Sequence, residues 1–339
     1  MSKRDLVFTA LAGEKVERVP VGFWHHFLTD ELAADALADP TVADKNVAGH
    51  RQFIRSFQPD FIKLMSDGYF RYPEESIEQV GVIADLAQIK GLSPVHPWYL
   101  QQTNLVRRQR EQFVEDIVSF YNIFSPVTLL KWQLPGGEAQ LVDLILTDQS
   151  AVAQALQVIA ADVARLSRLV IEEGGADGIY FSAQNLQDSR LTPELYQEVF
   201  APAEITVLTA AEKAGGKNIL HICGYEGAKN NLTIYQEYPA VAVNWAVTVE
   251  GISLEEGRQL FGKSVIGGFA NTTAGVLYSG SEAEITAETQ RLLAAAGTTG
   301  ILLGADCTVP LDTPAGRFDW VRNAAAAFTL NETVTPLSV

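Results

Sequence analysis

Eight apolar, strand-like runs separated by helix-like stretches constrain this chain to an α/β fold with a parallel sheet and helical crossovers. The runs fall at Val19–Trp24, Phe61–Ser66, Ile117–Phe124, Asp177–Ser182, Asn218–Cys223, Ala240–Trp245, Ser264–Phe269 and Gly300–Ala305. Eight such units in 339 residues fit a (β/α)8 TIM barrel better than a doubly wound sheet. With no internal repeat and no linker, residues 1–339 are expected to form one domain.

The helical stretches carry their own signals. An extra N-terminal helix over Lys3–Leu11 should stop at Gly13. After Ser150, the residues Val152, Leu156, Ile159, Val163, Leu166 and Val170 recur in steps of four and three, one apolar helix face. Thr192-Pro193 and Thr313-Pro314 each pair a capping hydroxyl with a proline suited to the first helical turn, and Ser281 with Glu284 has capping-box spacing. The stretch Gly68–Asn104, with Pro73, Pro94 and Pro97 among aromatics, predicts a long ordered βα loop over the C-terminal mouth of the barrel.

Charge excludes several functions. With 25 Lys and Arg against 41 Asp and Glu the formal charge is −16, which repels nucleic acid and anionic lipid. No apolar run approaches the ~20 residues needed to span a bilayer. The first residues, Met1-Ser2-Lys3-Arg4, lead into no signal core. A cytoplasmic protein is expected, without nucleic-acid or membrane partners. Two cysteines cannot build a disulfide framework, so metal binding or catalysis is the alternative to burial as free thiols.

In a (β/α)8 barrel the chemistry gathers at the C-terminal ends of the strands. His25 and His26 follow the first run there, Asp67 the second, and Lys131 and Trp132 the third. Tyr180, Ser182 and Gln184 come with the fourth, His221, Cys223, Tyr225 and Glu226 with the fifth, and Asn244 and Trp245 with the sixth. Asp306 and Cys307 close the eighth. His221 and Cys223, two apart on a strand, point to one face. With Cys307 they make three N/S ligands with a fourth position open, the arrangement of catalytic zinc. Zinc ionises a coordinated thiol outright, which makes it a nucleophile held in place. One of His25 and His26 should point inward. Gly267-Gly268 fits either a close backbone approach to a ligand or a tight turn.

These landmarks together resemble the uroporphyrinogen decarboxylase superfamily, including its zinc-dependent corrinoid-protein:thiol methyltransferases. The likeness runs from Glu17-Arg18-Val19-Pro20-Val21 through Pro59-Asp60-Phe61 and Ser66-Asp67 to Ser125-Pro126-Val127-Thr128-Leu129, Gly267-Gly268 and Asp312-Thr313-Pro314. It implies a barrel with its site at the C-terminal mouth. Decarboxylases of the family carry arginine after the first strand, a tyrosine after the third and a late histidine. Here stand Gly22–Phe27 without arginine, then Trp132, then Cys307. The His-x-Cys plus distant Cys of the methyltransferase branch is matched by His221, Cys223 and Cys307. A carboxylate ligand known from the similar cobalamin-independent methionine synthase site has Asn244 and Trp245 in its place, so that ligand is either missing here or comes from elsewhere, Glu226 being one option.

The expected activity is therefore zinc-dependent transfer of a methyl group to a thiol, the thiolate displacing cobalt(I) from a methylcobalt(III) donor. Metal ligands would be His221, Cys223 and Cys307, one zinc per chain. Asp67, His25 and His26 are the catalytic candidates, and Trp24, Trp132, Tyr180, Ser182, Gln184 and Asn244 the substrate-binding ones. Trp24, Trp132 and Trp245 are expected to make the mouth partly apolar. The expected partners are a small-molecule thiol and a separate methylcorrinoid protein, because the chain shows no second domain for a corrinoid; a homodimer is an open alternative. Two rival functions are metal-independent uroporphyrinogen decarboxylation, with Asp67 stabilising protonated pyrroles, and a non-catalytic corrinoid- or tetrapyrrole-binding barrel.

Overall fold

A computed structural model of the protein describes residues 1–334, with side chains through residue 328; the last five residues of the expected domain lie outside the described residues. Seven strands, β1 (Phe61–Leu64), β2 (Val118–Phe124), β3 (Gly178–Ala183), β4 (Ile219–Ile222), β5 (Ala242–Trp245), β6 (Ser264–Phe269) and β7 (Ile301–Ala305), form one parallel sheet in chain order. The sheet curls. Inward side chains from all seven strand regions, including Phe61, Phe120, Tyr180, Ile219, Ala242, Ile266 and Leu302, meet in one buried cluster with Trp24.

The first predicted strand, Val19–Trp24, is a single bridge, Val21 to Leu303. Gly22 donates to the Leu303 carbonyl at 3.0 Å and Leu303 to that of Pro20 at 2.9 Å. On the other side the Val21 carbonyl accepts from Asp60 N at 3.0 Å, but the Val21 N–H goes to the Asp60 carboxylate, not to backbone. Pro20 has no N–H to add, so no further rung forms. Asp60 is buried and also takes both guanidinium nitrogens of Arg18 at 2.6 and 2.7 Å. The Glu17–Val21 and Pro59–Phe61 motifs thus meet in one ion pair that joins the edges of the sheet.

Helix α1 (Lys3–Leu11) buries Leu6, Val7, Ala10 and Leu11 into the interior cluster, and Ser264, the first residue of β6, donates to the Ala10 and Leu11 carbonyls. It stops the N-terminal end of the curled sheet. Gly13 ends it at φ +72°, the left-handed conformation that glycine adopts without steric cost. The next helices are α2 (Pro40–Phe57), α3 (Pro97–Arg110), α4 (Pro126–Gln133), α5 (Gly137–Thr147) and α6 (Gln149–Glu172). All six apolar positions predicted for α6 are buried. Thr192 caps the helix Pro193–Val199, and Ser281 with Glu284 forms the capping box of Glu282–Ala296. Thr313 does not cap: its hydroxyl donates to the Pro310 carbonyl, and the last helix begins at Gly316.

Only the start of the segment after Gly68 reaches the mouth, where Phe70 lines the cavity and Phe70, Arg71 and Glu78 line its outer groove; the rest does not cover it. The segment holds two 3-10 turns, Glu75–Gln79 and Ile83–Gln88, and then enters α3. Buried Asp162 of α6 draws it outward, accepting from the Tyr72 hydroxyl at 2.6 Å and the Leu92 N–H at 2.7 Å. Gly267 and Gly268 serve packing: both sit in β6 at positive φ, and a Cβ there would meet the Asn244 amide at 3.4 Å or Leu292 at 2.9 Å. Among the described residues no helix is long and apolar enough to cross a membrane.

Candidate metal centre

The alternation along β4 that buries Ile219 in the interior also turns His221 inward, and Cys223 follows on the same face. Cys307 arrives from the end of β7. One ligand atom each from His221, Cys223 and Cys307 lies within 4.8 Å of the others, and among the described residues these three make up the cluster. His221 Nε2 stands 3.5 Å from the Cys307 sulfur. No ligand from Glu226 joins them; it adopts φ +58° in the turn after β4 and lines the outer groove instead.

Asn244 sets the histidine. Its Nδ2 donates to the carbonyls of Ile266 at 2.9 Å and Ala305 at 3.1 Å, so its Oδ1 must be the atom facing His221 Nδ1 at 2.5 Å. Nδ1 therefore carries the proton, and the Nε2 lone pair points toward the cysteines. Asp306 fixes the neighbouring loop, accepting from the Val247 and Thr248 N–H groups at 3.0 and 3.1 Å; burial pushes its carboxyl up. The two thiols act as a pair. Beside the Cys223 thiol the Cys307 sulfur is favoured as thiolate, with Lys63 adding to it, and Cys223 is held up as the proton-bearing partner.

The triad lines a cavity of about 180 Å³ with His26, Lys63, Asn122, Phe124, Trp132, Ser182 and Gln184 among its walls. Gln184 accepts from Lys131 and donates to the carbonyls of Cys223 and Tyr225, tying down the turn that carries the ligand. Ser182 donates to Asn122 at 3.4 Å. Of the paired histidines, His26 enters the lining. Its Nδ1–H donates to Asp67 at 2.8 Å, and Asp67 also accepts from the Phe27 N–H. His25 packs between Phe27 and Phe53, donates to the His26 carbonyl, and is held down in pKa by burial.

Other predicted site residues lie elsewhere. Trp24 and Tyr180 do not line the cavity; both are fully buried beneath it, rings 5.1 Å apart. Trp245 faces away from the mouth, against Phe261, because inward Asn244 puts its neighbour on the outer face. Trp132 stays at the mouth, 41% exposed. Lys63 was missed: as the third residue of Phe61-Ile62-Lys63-Leu64 it passes for part of an apolar strand. A lysine inside so apolar a run was the available signal.

Residues 2–328 match the family model described as uroporphyrinogen decarboxylase (URO-D). No curated protein matches the sequence. Among solved structures, a methyltransferase from Methanosarcina mazei aligns with a TM-score of 0.71 at 15% identity, over 97% of this chain and 99% of that one. A B12-independent methionine synthase from Shewanella sp. W3-18-1, in complex with selenomethionine, aligns at 0.53 and 12% identity, over 94% and 99%. These likenesses show a shared fold. The sequence match runs from α1 to the last helix and spans every strand and every residue of the triad, so the chain belongs to the uroporphyrinogen decarboxylase family.

Proposed function

We propose that the protein is a zinc-dependent methyltransferase acting on a thiol, built as one (β/α)8 barrel whose eighth stave is the bridge segment around Val21. The observation that carries this reading is the convergence of two sulfurs and one imidazole nitrogen within 4.8 Å on a cavity wall, with the nitrogen's lone pair freed by Asn244. That donor set fits zinc, and three protein ligands leave a fourth position for a substrate. The fold shared with a methyltransferase and a methionine synthase supports the same class of reaction.

Zinc at this site supplies the Lewis acidity that lowers the pKa of an incoming thiol. The chain's own residues do the rest. His221 presents Nε2, held by Asn244. His26, its Nδ1–H on Asp67, offers Nε2 to the cavity as the base that relays the thiol proton to solvent. Ser182 and Gln184 contribute polar wall, while the touching rings of Phe70, Phe124 and Trp132 contribute an apolar one. The donor is a methylcorrinoid carried by a separate protein. The cavity shares Leu32, Phe70, Trp132, Gln184 and Tyr225 with an open groove of about 820 Å³, and Leu32, Trp132 and Tyr225 are 61, 41 and 51% exposed, available to such a donor.

Porphyrinogen decarboxylation would require cations around a polycarboxylate, and the cavity lining has one lysine and no arginine. Thiol titration of zinc-loaded protein, by calorimetry in buffers of different ionisation enthalpy, tests the reading. Close to one proton should leave per thiol bound near neutral pH. Thiol binding that persists unchanged after zinc removal, or efficient decarboxylation of uroporphyrinogen, would overturn it.

A further inference from the structure

The cavity contains a charge that the triad does not explain. Lys63 sits on β1 between Phe61 and Met65, both in the interior cluster, and alternation turns its side chain inward with theirs. It is 4% exposed. Its ammonium lies over the Tyr180 ring, 4.8 Å from the centroid, and no hydrogen bond or carboxylate ion pair holds it among the described residues. The Tyr180 ring also lies 5.6 Å from that of His221, so the ammonium and the triad stand over one aromatic floor. Burial lowers the lysine's pKa; Cys307, Cys223 and, less, Asp67 oppose the shift, the Asp67 carboxylate being engaged with His26 and the Phe27 N–H. Among the described residues Lys63 is the only lysine or arginine in the cavity lining.

A buried ammonium without a partner is costly, which points to a partner that arrives with the ligand. Charge counting identifies it. Two cysteine thiolates neutralise a divalent metal, and a third sulfur, bound as thiolate, leaves one negative charge in a mostly apolar cavity. We propose that Lys63 is the charge partner of that incoming sulfur, so that the open position selects an anionic sulfur ligand over a neutral one. This rests on the metal-and-thiol reading above. Lys63 is a specificity-determining residue here and binds neither the metal nor the three side chains that would hold it.

Cobalt(II)-substituted protein provides the test, its visible bands reporting on the metal's ligands. The probes are ethanethiol, whose only acidic group is its sulfur, and imidazole, a neutral donor. In Lys63→Met and Lys63→Gln, ethanethiol affinity should fall about 10- to 100-fold while imidazole affinity changes less than about threefold, as expected when one charge-assisted contact is lost. Metal stoichiometry and melting temperature should hold, since removing an unpaired buried charge does not weaken the core. Equal loss for both probes, or none for ethanethiol, would overturn the assignment. Loss confined to thiols bearing a carboxylate would also overturn it, placing Lys63 against the acceptor's acid group. Failure of wild-type protein to bind cobalt or ethanethiol would instead sink the metal-and-thiol reading, and this inference with it.

Discussion

Asn244 Oδ1 lies 2.5 Å from His221 Nδ1, and the two Nδ2 hydrogens of the same amide are committed to carbonyls on two other strands. One side chain thereby selects both the tautomer and the ring orientation of the candidate zinc ligand. The position where a related site would offer a carboxylate is occupied by a positioning residue.

The consequence for affinity is direct. Asn244→Ala should weaken zinc binding about 10- to 100-fold, the usual cost of losing a partner that orients a ligating histidine. Competition with a chelator of known affinity measures it. Unchanged affinity would mean that the ring is held by packing on Tyr180 alone.

The two neighbouring histidines should separate by function. His26→Ala should lower methyl-transfer kcat by at least about 10²-fold, the range for loss of a general base, with zinc content unchanged. His25→Ala should instead lower the melting temperature, since that ring packs between Phe27 and Phe53. Turnover and calorimetry of both variants check the split.

The Arg18–Asp60 pair predicts where the fold breaks. Asp60 is fully buried, and Asp60→Ala strands both the guanidinium and the Val21 N–H, for a loss of about 3–5 kcal/mol. Denaturant unfolding measures this. Zinc content at low denaturant should survive, because the triad is carried by β4 and β7.

Acid sensitivity follows from His50. It is fully buried, its Nδ1–H donates to the Asn46 carbonyl and its Nε2 accepts from Met65 N–H, so only the neutral ring fits; burial holds its pKa down to about 4. The folded-state pKa lies below the unfolded value of about 6.5, so its contribution is complete above that value and is lost as pH falls toward 4. The total is about 3 kcal/mol. Unfolding free energy measured between pH 7 and 4 should show the slope, reduced in His50→Gln.

Much of this was legible before any coordinates. Seven of the eight apolar runs are strands, and the i, i+2 spacing of His221 and Cys223 already put them on one face. Asn244 being inward makes Trp245 outward, so the misplacement of that tryptophan could have been avoided by parity alone. What stayed hidden depends on long-range partners. The Asp60 carboxylate takes the hydrogen bond that would have extended the Val19–Trp24 run, and Asp162, far along the chain, holds Tyr72 and Leu92, so that only the start of the Gly68–Asn104 segment lines the mouth. Lys63 was hidden by its surroundings: burial of its neighbours is visible in sequence, while the lack of a carboxylate paired with it is not.

X-ray absorption at the zinc edge, with metal analysis of protein expressed with zinc and purified without chelator, addresses the central claim most directly. About one zinc per chain is predicted, with two sulfurs at about 2.3 Å and one imidazole nitrogen at about 2.0–2.1 Å. Cys223→Ser and Cys307→Ser should each abolish tight binding while the fold persists. Protein that remains metal-free under reducing conditions, or a zinc shell without sulfur, would contradict the account.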